Sequence, residues 1–464
     1  MVPGIPPACA AGHPATAAAG AEILAEGGSA ADAAVAAGLA SCVAETVMTG
    51  LLGGGHALHF ETATGRARLL DCFCTVPSGP GRDVLELDVP FGEELVHYAV
   101  GPASCAVPGV PAGLGELWRA HGRLPWARLV EPALRLAREG VPMPPAHAAC
   151  LAMLEPVMTM REGARMYAPG GRLLEAGDRL DQPGLVSALE SLAGEGPGGA
   201  YTGTIGTSLL ALSEERGGAI TRADLEAYEP RWHEPAETTL AGVRVLTRAG
   251  LSGVPAAIRR LPRLRALPPG ERTLALLAAL DGAAGPETHT TNLVAVDWDG
   301  NACVLTTSLG LGSGDWLPGL DLHLNSMLGE VALVRGLLVP GERMESMMAP
   351  SVAVDAEGLV LAIGAAGGTR LRTALVGVAA GILDEGLDAA SAVERPRVHD
   401  AGDVVNAEPG VPEGALERLE ASGRAVRRWP ARHHYFGGVT TVGRAGAAAD
   451  SRRSGTAVEA RRAG

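Results

Sequence analysis

The sequence predicts a mixed α and β fold of the α+β class, and two observations indicate it. Segments with helical spacing of apolar residues fill the region from Gly113 to Arg216, whereas pairs of apolar runs joined by tight turns follow from Thr290 onward. The chain has 464 residues, of which 47% are hydrophobic and 19% are charged. This composition is sufficient for one large domain or two closely packed ones, and it argues against disorder.

The first predicted elements are two helices followed by a strand pair. An alanine-rich segment is interrupted by Gly27 and Gly28, where the first helix should end. Ser29 and Asp32 have the spacing of a capping box, which predicts that a second helix begins there. A glycine run then leads into two apolar runs on either side of Thr64-Gly65, and these predict a hairpin.

The middle of the chain is predicted to be mostly helical. In the stretch LPWARLVEPALRLAREG, apolar residues at helical spacing share one face. They are Leu129, Ala133, Leu134 and Ala137. Breaks rich in glycine and proline at 196–199 and 262–270 indicate exposed connections.

Two further hairpins and a glycine pair are predicted in the last part of the chain. Thr290–Val296 and Ala302–Ser308 flank DWDGN, whose Asp-Gly step favours a tight turn. A second hairpin, SVAVDAEGLVLAIG, is followed by Gly367-Gly368 and an apolar helix. Because amide groups at a helix start have no partner within the helix, this glycine pair is a candidate anion site.

Charge and composition exclude several classes of function. The net charge is -14, the chain has no lysine, and no basic run indicates a nucleic-acid or membrane-surface site, so the expected partner is a small-molecule substrate. Schiff-base chemistry and lysine-containing phosphate loops are excluded as well. We expect no cofactor and no metal, since His56 and His59 lack a third ligand at a recognisable spacing.

The cysteines and the N-terminal residues bear on the location of the protein. The seven cysteines are scattered and odd in number, which favours a reducing compartment. The first residues lack the basic and apolar regions of a signal peptide, and the longest apolar segment, Ala374–Leu383, is too short to span a membrane. We therefore expect a cytoplasmic protein.

A pair of threonines, Thr290 and Thr291, opens the first of the late hairpins. A threonine hydroxyl is a weak nucleophile unless a base lies beside it. If the chain is cut before Thr290, the new α-amino group, with an ordinary pKa of about 7.7 to 8.0, is such a base. From the pattern alone, the β-propensity of threonine is the more ordinary explanation of the pair.

Seven segments, taken in order, change this interpretation. They cover residues 12–45, 49–60, 107–140, 217–235, 288–308 (THTTNLVAVDWDGNACVLTTS), 349–373 (ending GAAGGTRLRT) and 449–457. In sequence and in order they resemble the γ-glutamyltranspeptidase family, over nearly the whole chain. The resemblance implies an N-terminal nucleophile hydrolase with a four-layer αββα sandwich, made as a precursor that cleaves itself. Cleavage between His289 and Thr290 would give a large-subunit region, 1–289, and a small-subunit region, 290–464.

The resemblance also implies catalytic roles for four residues. Thr290 would be the nucleophile and the new N-terminus, and Ser308 would supply a hydroxyl beside it. The backbone NH groups of Gly367 and Gly368 would form the oxyanion hole. Thr290 would attack an acyl group, its own amine would carry the proton, and water or an amine acceptor would resolve the ester.

The substrate pocket is where the sequence departs from the family. The predicted substrate-binding residues are Phe73, Asn325, Ser326, Gly329, Ser346 and Met347. Family members usually have an arginine at the position of Phe73 and an aspartate at that of Gly329, which bind the carboxylate and the amino group of glutamate. Ser326 and Met347 also replace usual residues, a glutamine and a serine, and Gly310 stands near a missing asparagine. Since a hydrogen bond to a charged group contributes about 1.5 to 3 kcal/mol, we expect poor binding of γ-glutamyl amides.

Three functions are consistent with these residues. The first is an autoprocessing hydrolase or acyltransferase whose substrate is not a simple γ-glutamyl amide. The second, in the same family, is a C–C bond hydrolase of natural-product biosynthesis, as in the formation of 4-alkylprolines, where an enolate would leave. The third is an inactive scaffold that binds a ligand. Retention of Thr290, Ser308 and the glycine pair argues against the third.

Overall fold

The computed structural model describes residues 4–82, 84–91, 94–280, 290–330, 333–334 and 336–462. Helices and strands are interspersed along these residues, and the predicted mixed fold class is confirmed.

The strands of the described residues are β1 (Ala8–Ala11), β2 (Gly54–Glu61), β3 (Arg66–Cys72), β4 (Leu85–Phe91), β5 (Glu94–Val100), β6 (Val141–Pro142), β7 (Arg179–Leu180), β8 (Arg231–His233), β9 (Ala236–Leu240), β10 (Val243–Thr247), β11 (Thr291–Val296), β12 (Ala302–Ser308), β13 (Trp316–Leu317), β14 (Leu322–His323), β15 (Ser351–Asp355), β16 (Gly358–Ala366), β17 (Val398–Asp400), β18 (Val404–Ala407), β19 (Ala425–Arg428), β20 (Gly438–Gly443), β21 (Gly446–Ala449) and β22 (Thr456–Glu459).

The α-helices of the same residues are α1 (Pro14–Ala25), α2 (Ala30–Ala44), α3 (Val110–His121), α4 (Trp126–Glu139), α5 (Pro145–Met158), α6 (Gly163–Tyr167), α7 (Pro183–Glu195), α8 (Gly199–Thr202), α9 (Thr204–Arg216), α10 (Arg222–Glu226), α11 (Val254–Arg260), α12 (Pro269–Leu280), α13 (Arg370–Leu383), α14 (Ala389–Glu394) and α15 (Glu413–Ala421).

Two antiparallel sheets lie at the centre of the fold. The first has the strand order β22-β1-β11-β12-β2-β3-β8, and the second has the order β21-β20-β16-β15-β10-β9. In the first sheet β11 and β12 pair with Thr291 opposite Thr307. Both strands have a neighbour on each side, so their backbone groups are hydrogen-bonded along both edges.

Side chains of β11 alternate between two apolar layers. Val294 and Val296 pack into the core between the two sheets. Leu293 and Ala295 pack against α1–α4 on the outer side of the first sheet. Residues of α11–α14 pack with residues of the second sheet in another apolar cluster. Strand β11 is buried along its whole length, and its last four residues are apolar.

The locally encoded elements agree with the sequence predictions. Ser29 Oγ accepts a hydrogen bond from Asp32 N at 3.0 Å, and the Asp32 carboxylate accepts one from Ser29 N at 3.0 Å, so the predicted capping box opens α2. Both hairpin turns use a glycine in the left-handed region, with φ of +65° at Gly65 and +78° at Gly300. None of the helices in the described ranges is long and apolar enough to cross a membrane.

Candidate active site

Thr290 lies at the entrance to the central strand β11 and is 2% exposed. Nη1 of Arg453 donates a hydrogen bond of 3.1 Å to its carbonyl oxygen. Because β11 is paired on both edges and covered on both faces, the backbone that carries Thr290 is held rigidly. His289, the residue predicted to precede the cleavage point, lies outside the described residues, and the division into 1–289 and 290–464 stays a prediction.

A small cavity, here called the front cavity, adjoins Thr290. Its lining residues are Phe73, Thr290, Ser308, Met327, Glu330, Leu333, Ser346, Met347, Met348, Gly368 and Leu371. Six of the residues singled out from the sequence therefore meet at one cavity, although they come from segments far apart in the chain. They are Thr290, Ser308, Gly368, Phe73, Ser346 and Met347.

Ser308 ends β12 beside the start of β11. The antiparallel register that places Thr291 opposite Thr307 continues to Thr290 and Ser308, one step further along the ladder. Ser308 Oγ accepts a hydrogen bond of 2.9 Å from the backbone N of Gly310. The register of a single hairpin thus brings the two predicted catalytic hydroxyls together.

Gly367 and Gly368 connect β16 to α13, as the strand, glycine pair and helix pattern predicts. Their φ angles are +125° and +57°, in the region that favours glycine. A Cβ on Gly367 would also lie 2.7 Å from the Cα of Gly437. Gly368 lines the front cavity, and the helix start places partial positive charge there. Gly367, the preceding residue, is not among the residues that line this cavity. The oxyanion role of the pair stays a prediction.

Phe73 forms one wall of the front cavity and is buried. Its ring stacks on that of His56, with 5.5 Å between the ring centroids and 9° between the planes. Its carbonyl oxygen accepts hydrogen bonds from Arg343 Nη1 at 2.7 Å and from Tyr228 Oη at 2.8 Å. With Met327, Leu333 and two further methionines, this wall is largely apolar.

Asn325 and Ser326 have other partners and are not among the residues that line the front cavity. Nδ2 of Asn325 donates to the carbonyl oxygens of Leu52 and Ala106, both at 2.8 Å. Ser326 Oγ accepts a hydrogen bond of 3.1 Å from Leu311 N. These contacts fasten the loop after β14 to the body of the protein, and the substrate-binding role of the two residues stays a prediction.

A second small cavity, here called the rear cavity, adjoins the backbone at the start of β11. It is lined by Gly12, Glu45, Met48, His147, Thr290, Thr291, Asn292, Ala366, Gly438, Val439, Thr440, Asp450, Arg453 and Gly455. Glu45 is buried, and its carboxylate accepts hydrogen bonds from Thr16 Oγ1 at 2.7 Å and from Thr291 Oγ1. Burial raises the pKa of Glu45 to about 7, although the two hydroxyl donors act in the opposite direction.

Comparison with known proteins identifies the family. The model of the family described as gamma-glutamyltranspeptidase matches residues 16–275 and 266–460. The chain belongs to the gamma-glutamyltranspeptidase family. It is 29% identical to the acylase ACY 1 proenzyme of Pseudomonas sp. (strain V22), over 90% of this chain and 87% of that protein. It is 27% identical to glutathione hydrolase proenzyme 1 of Schizosaccharomyces pombe, over 90% of this chain and 78% of that protein.

A solved structure agrees at the level of the fold. The chain is similar to a cephalosporin acylase from Bacillus halodurans, with a TM-score of 0.79 and 23% identity over 98% of this chain and 96% of that one. The predicted membership of the gamma-glutamyltranspeptidase family is confirmed by the family model, and the protein is an enzyme of the hydrolase and transferase type.

Within the gamma-glutamyltranspeptidase family, the position of Gly329 is expected to hold an aspartate, and the structure has no room for one. A Cβ on Gly329 would overlap the carbonyl oxygen of Ala99 in β5. A side chain at this position would have to displace backbone, so Gly329 does not present a group to the front cavity. The prediction that Gly329 lines the substrate pocket has no support from this geometry.

The next residue, Glu330, is the acidic group that sequence reasoning missed. It lines the front cavity and is 1% exposed. Neither carboxylate oxygen has a hydrogen-bond partner among the described residues, and burial raises the pKa of Glu330 well above its usual range. A Cβ on Gly310 would overlap Glu330 Oε1, so the absence of a side chain at residue 310 leaves the space that this carboxyl group occupies. A lone acidic residue in the apolar stretch LNSMLGEV was the available signal.

Proposed function

We propose that the protein is an autoprocessing hydrolase or acyltransferase that uses the N-terminal threonine Thr290 as its nucleophile, on an acyl group other than γ-glutamyl. The observation that carries the proposal is the front cavity, where Thr290, Ser308 and Gly368 face an apolar wall formed by Phe73 and Met347. The relatives named as proenzymes support maturation of one precursor into a large and a small subunit.

The chemistry follows from the residues at the start of β11. In the mature enzyme Thr290 Oγ attacks the acyl carbonyl carbon, and the hydroxyl proton passes to the α-amino group of the same residue. The carbonyl oxygen becomes an oxyanion that the NH groups of Gly367 and Gly368 stabilise. The bond to the leaving group then breaks, the leaving group takes the proton, and an ester on Thr290 remains. Water, or an amine acceptor, attacks this ester and restores the hydroxyl.

The lining of the front cavity favours a compact and largely apolar acyl group. A γ-glutamyl group carries a carboxylate that needs a cationic partner, and the described lining contains no arginine. Leaving a buried carboxylate without its partner costs several kcal/mol, in the range of about 3 to 5 for a broken buried pair. An acyl group without that carboxylate avoids this cost. The name of the acylase relative is consistent with such a substrate.

Gel electrophoresis and mass spectrometry of the purified protein test the proposal. The wild type should give two fragments, produced by cleavage of the peptide bond between His289 and Thr290. Thr290→Ala should remain one uncleaved chain without activity. Thr64→Ala, which removes an exposed hydroxyl from the β2–β3 turn, is the matched control and should mature normally. An intact wild-type chain that turns over an acyl substrate would overturn the proposal.

Probe substrates then define the acyl group. We expect acetyl p-nitroanilide, which has a small neutral acyl group and the same leaving group, to acylate Thr290 faster than γ-glutamyl p-nitroanilide does. The reverse order would contradict the assignment of Phe73 and Met347 as the wall that selects the acyl group. Failure of every acyl probe with a fully cleaved protein would favour the inactive scaffold.

A further inference from the structure

Glu330 is a buried acid without a partner in a cavity that it shares with the candidate nucleophile. Burying a charge is unfavourable unless a counter-ion or hydrogen bonds compensate for it. Buried carboxylates of stable proteins are therefore almost always paired. The lack of a partner for Glu330 among the described residues indicates that its partner is a group formed or bound later.

The groups packed around Glu330 do not supply a cation. Tyr98 of β5 and Cys74 after β3 are close enough for its charge to raise their pKa values, and both are neutral. The hydroxyl of Tyr98 is itself buried without a hydrogen-bond partner in the described part of the chain. Arg343 acts on the pKa of Cys74, and Arg370 acts on that of Tyr98. Their guanidinium groups donate to the carbonyl oxygens of Phe73 and Tyr435, and neither arginine is among the residues that line the front cavity.

Charged groups also face Thr290 from the rear cavity. Arg453 donates to the carbonyl oxygen of Thr290, and Glu45, His147 and Asp450 line the same space. The Glu45 carboxylate has two hydroxyl donors, and burial lowers the pKa of His147 to about 3, so the histidine is neutral. Of the acids that line the two cavities at the start of β11, Glu330 lies in the front cavity, and its carboxyl group has no hydrogen-bond partner among the described residues.

Self-cleavage creates a cation at this place. When water hydrolyses the bond between His289 and Thr290, its hydroxyl adds to the carbonyl carbon of His289, the C–N bond breaks, and the nitrogen of Thr290 takes the remaining proton. At neutral pH the new amine binds one further proton, and the new carboxyl group loses one. An ammonium group thereby forms on a residue that lines the cavity containing Glu330.

We propose that Glu330 is a positioning residue whose carboxylate pairs with the α-ammonium group that cleavage creates on Thr290. This inference rests on the proposed function, since it requires cleavage before Thr290. The pair fixes the direction of the amine toward the hydroxyl that it must deprotonate. It also explains Gly310, because a side chain there would collide with the carboxyl group.

The pairing predicts the direction of a pKa shift. A carboxylate close to an amine favours the protonated form and raises the pKa of the amine by about one unit or more. The amine acts as a base only when it is neutral, so activity should rise with pH through that pKa. Glu330→Gln removes the charge, and the rising limb of the pH profile should move to lower pH by about one unit.

The absence of lysine allows a direct measurement of this pKa. Reductive methylation with formaldehyde and cyanoborohydride modifies only amines, so the mature protein has two targets: Thr290 and the amine at the start of the large fragment. Mass spectrometry of the two fragments gives both rates at each pH, with the large fragment as an internal reference. Glu330→Gln should lower the midpoint for Thr290 by about one pH unit and leave the reference unchanged. Glu342→Gln, an exposed acid of the same loop, should change neither.

The pre-steady-state rate of acylation by p-nitrophenyl acetate provides a second measurement. This ester carries no cation, so a shift of its pH profile in Glu330→Gln reports on the amine of the enzyme. A shift confined to substrates with an amino group would overturn the inference, because Glu330 would then bind the substrate instead. Unchanged midpoints in both measurements would overturn it as well.

The outcomes separate this inference from the proposed function. If the wild type is not cleaved before Thr290, the proposed function fails. If the wild type is cleaved and acylated while Glu330→Gln keeps the wild-type midpoints, only the pairing fails. If Glu330→Gln does not mature, the pH midpoints of methylation in the wild type decide whether the pairing exists. A midpoint for the Thr290 amine clearly below that for the large-fragment amine would contradict a carboxylate beside Thr290.

Discussion

The two cavities at the start of β11 each contain one buried glutamate, and the two differ in their surroundings. In the rear cavity Glu45 accepts hydrogen bonds from Thr16 and Thr291. In the front cavity Glu330 has no partner among the described residues. The carboxylate on the rear side is thus tied to two hydroxyl groups, one of them on β11, whereas the carboxylate on the front side is not tied to the described residues. On the proposed function, the rear side holds the strand, whereas the front side contains both Glu330, which positions the amine, and the wall that selects the acyl group.

The largest expected effect on stability concerns Glu45 on the rear side. The pKa of this acid is raised from 4.5 to about 7 in the folded protein, so the folded state holds a proton that the unfolded state has lost in that interval. The free energy of unfolding should therefore fall as the pH rises from about 4.5 to about 7, by about 3 kcal/mol at about 1.4 kcal/mol per unit.

Chemical denaturation at several pH values checks this prediction. Glu45→Gln should remove that part of the pH dependence, and Glu342→Gln, an exposed acid, should retain it. If Glu45→Gln and the wild type lose stability in parallel between these pH values, Glu45 is ionised in the folded protein and the contrast between the cavities is weaker.

The next effect concerns the packing behind the front cavity. Gly329→Ala places a methyl group against the carbonyl oxygen of Ala99, and overpacking of a buried site costs about 1 to 3 kcal/mol or more. Thermal unfolding should show a clearly lower midpoint than that of the wild type. Gly194→Ala, where a Cβ meets nothing within 4 Å, is the matched control. Equal stability of the two variants would show that Gly329 can present a side chain after all.

The β11–β12 hairpin and the adjacent residues Gly329 and Glu330 show which parts of the molecule could be predicted from the sequence. The β11–β12 hairpin was predicted within one residue, because an Asp-Gly turn and two apolar runs are local signals. The sequence did not predict that a side chain at Gly329 would meet backbone or that Glu330 lines the front cavity. The contact at Gly329 depends on where the carbonyl oxygen of Ala99 lies, more than 200 residues earlier in the chain, and no local pattern records such a contact. Thr290 and Ser308 were singled out by the family resemblance, and the register of one hairpin places them near each other.

A smaller effect on catalysis should follow from adding a cation to the front cavity. Phe73→Arg supplies a donor for a substrate carboxylate, and one charge-assisted hydrogen bond of about 1.5 kcal/mol corresponds to about a tenfold gain in kcat/KM on γ-glutamyl p-nitroanilide. Phe73→Leu removes the ring without adding charge and should show no gain. A gain in both variants would mean that volume, and not charge, limits this substrate.

The smallest effect is expected at Tyr98, beside Glu330. Its buried hydroxyl has no hydrogen-bond partner among the described residues, so Tyr98→Phe removes a polar group that gains nothing from its position. The free energy of unfolding should stay within about 0.5 kcal/mol of the wild type or rise slightly. A loss above about 1 kcal/mol would reveal a partner for the hydroxyl and would require a different description of the groups around Glu330.

Mass spectrometry of the acylated fragments tests the central claim most directly. After a short incubation with p-nitrophenyl acetate and denaturation in acid, which keeps the α-amine protonated, the fragment that begins at Thr290 should carry one acetyl group, and peptide fragmentation should place it on Thr290. An acetyl group on the large fragment instead, or an active protein that remains one uncleaved chain, would contradict the assignment of Thr290 as a nucleophile released by self-cleavage.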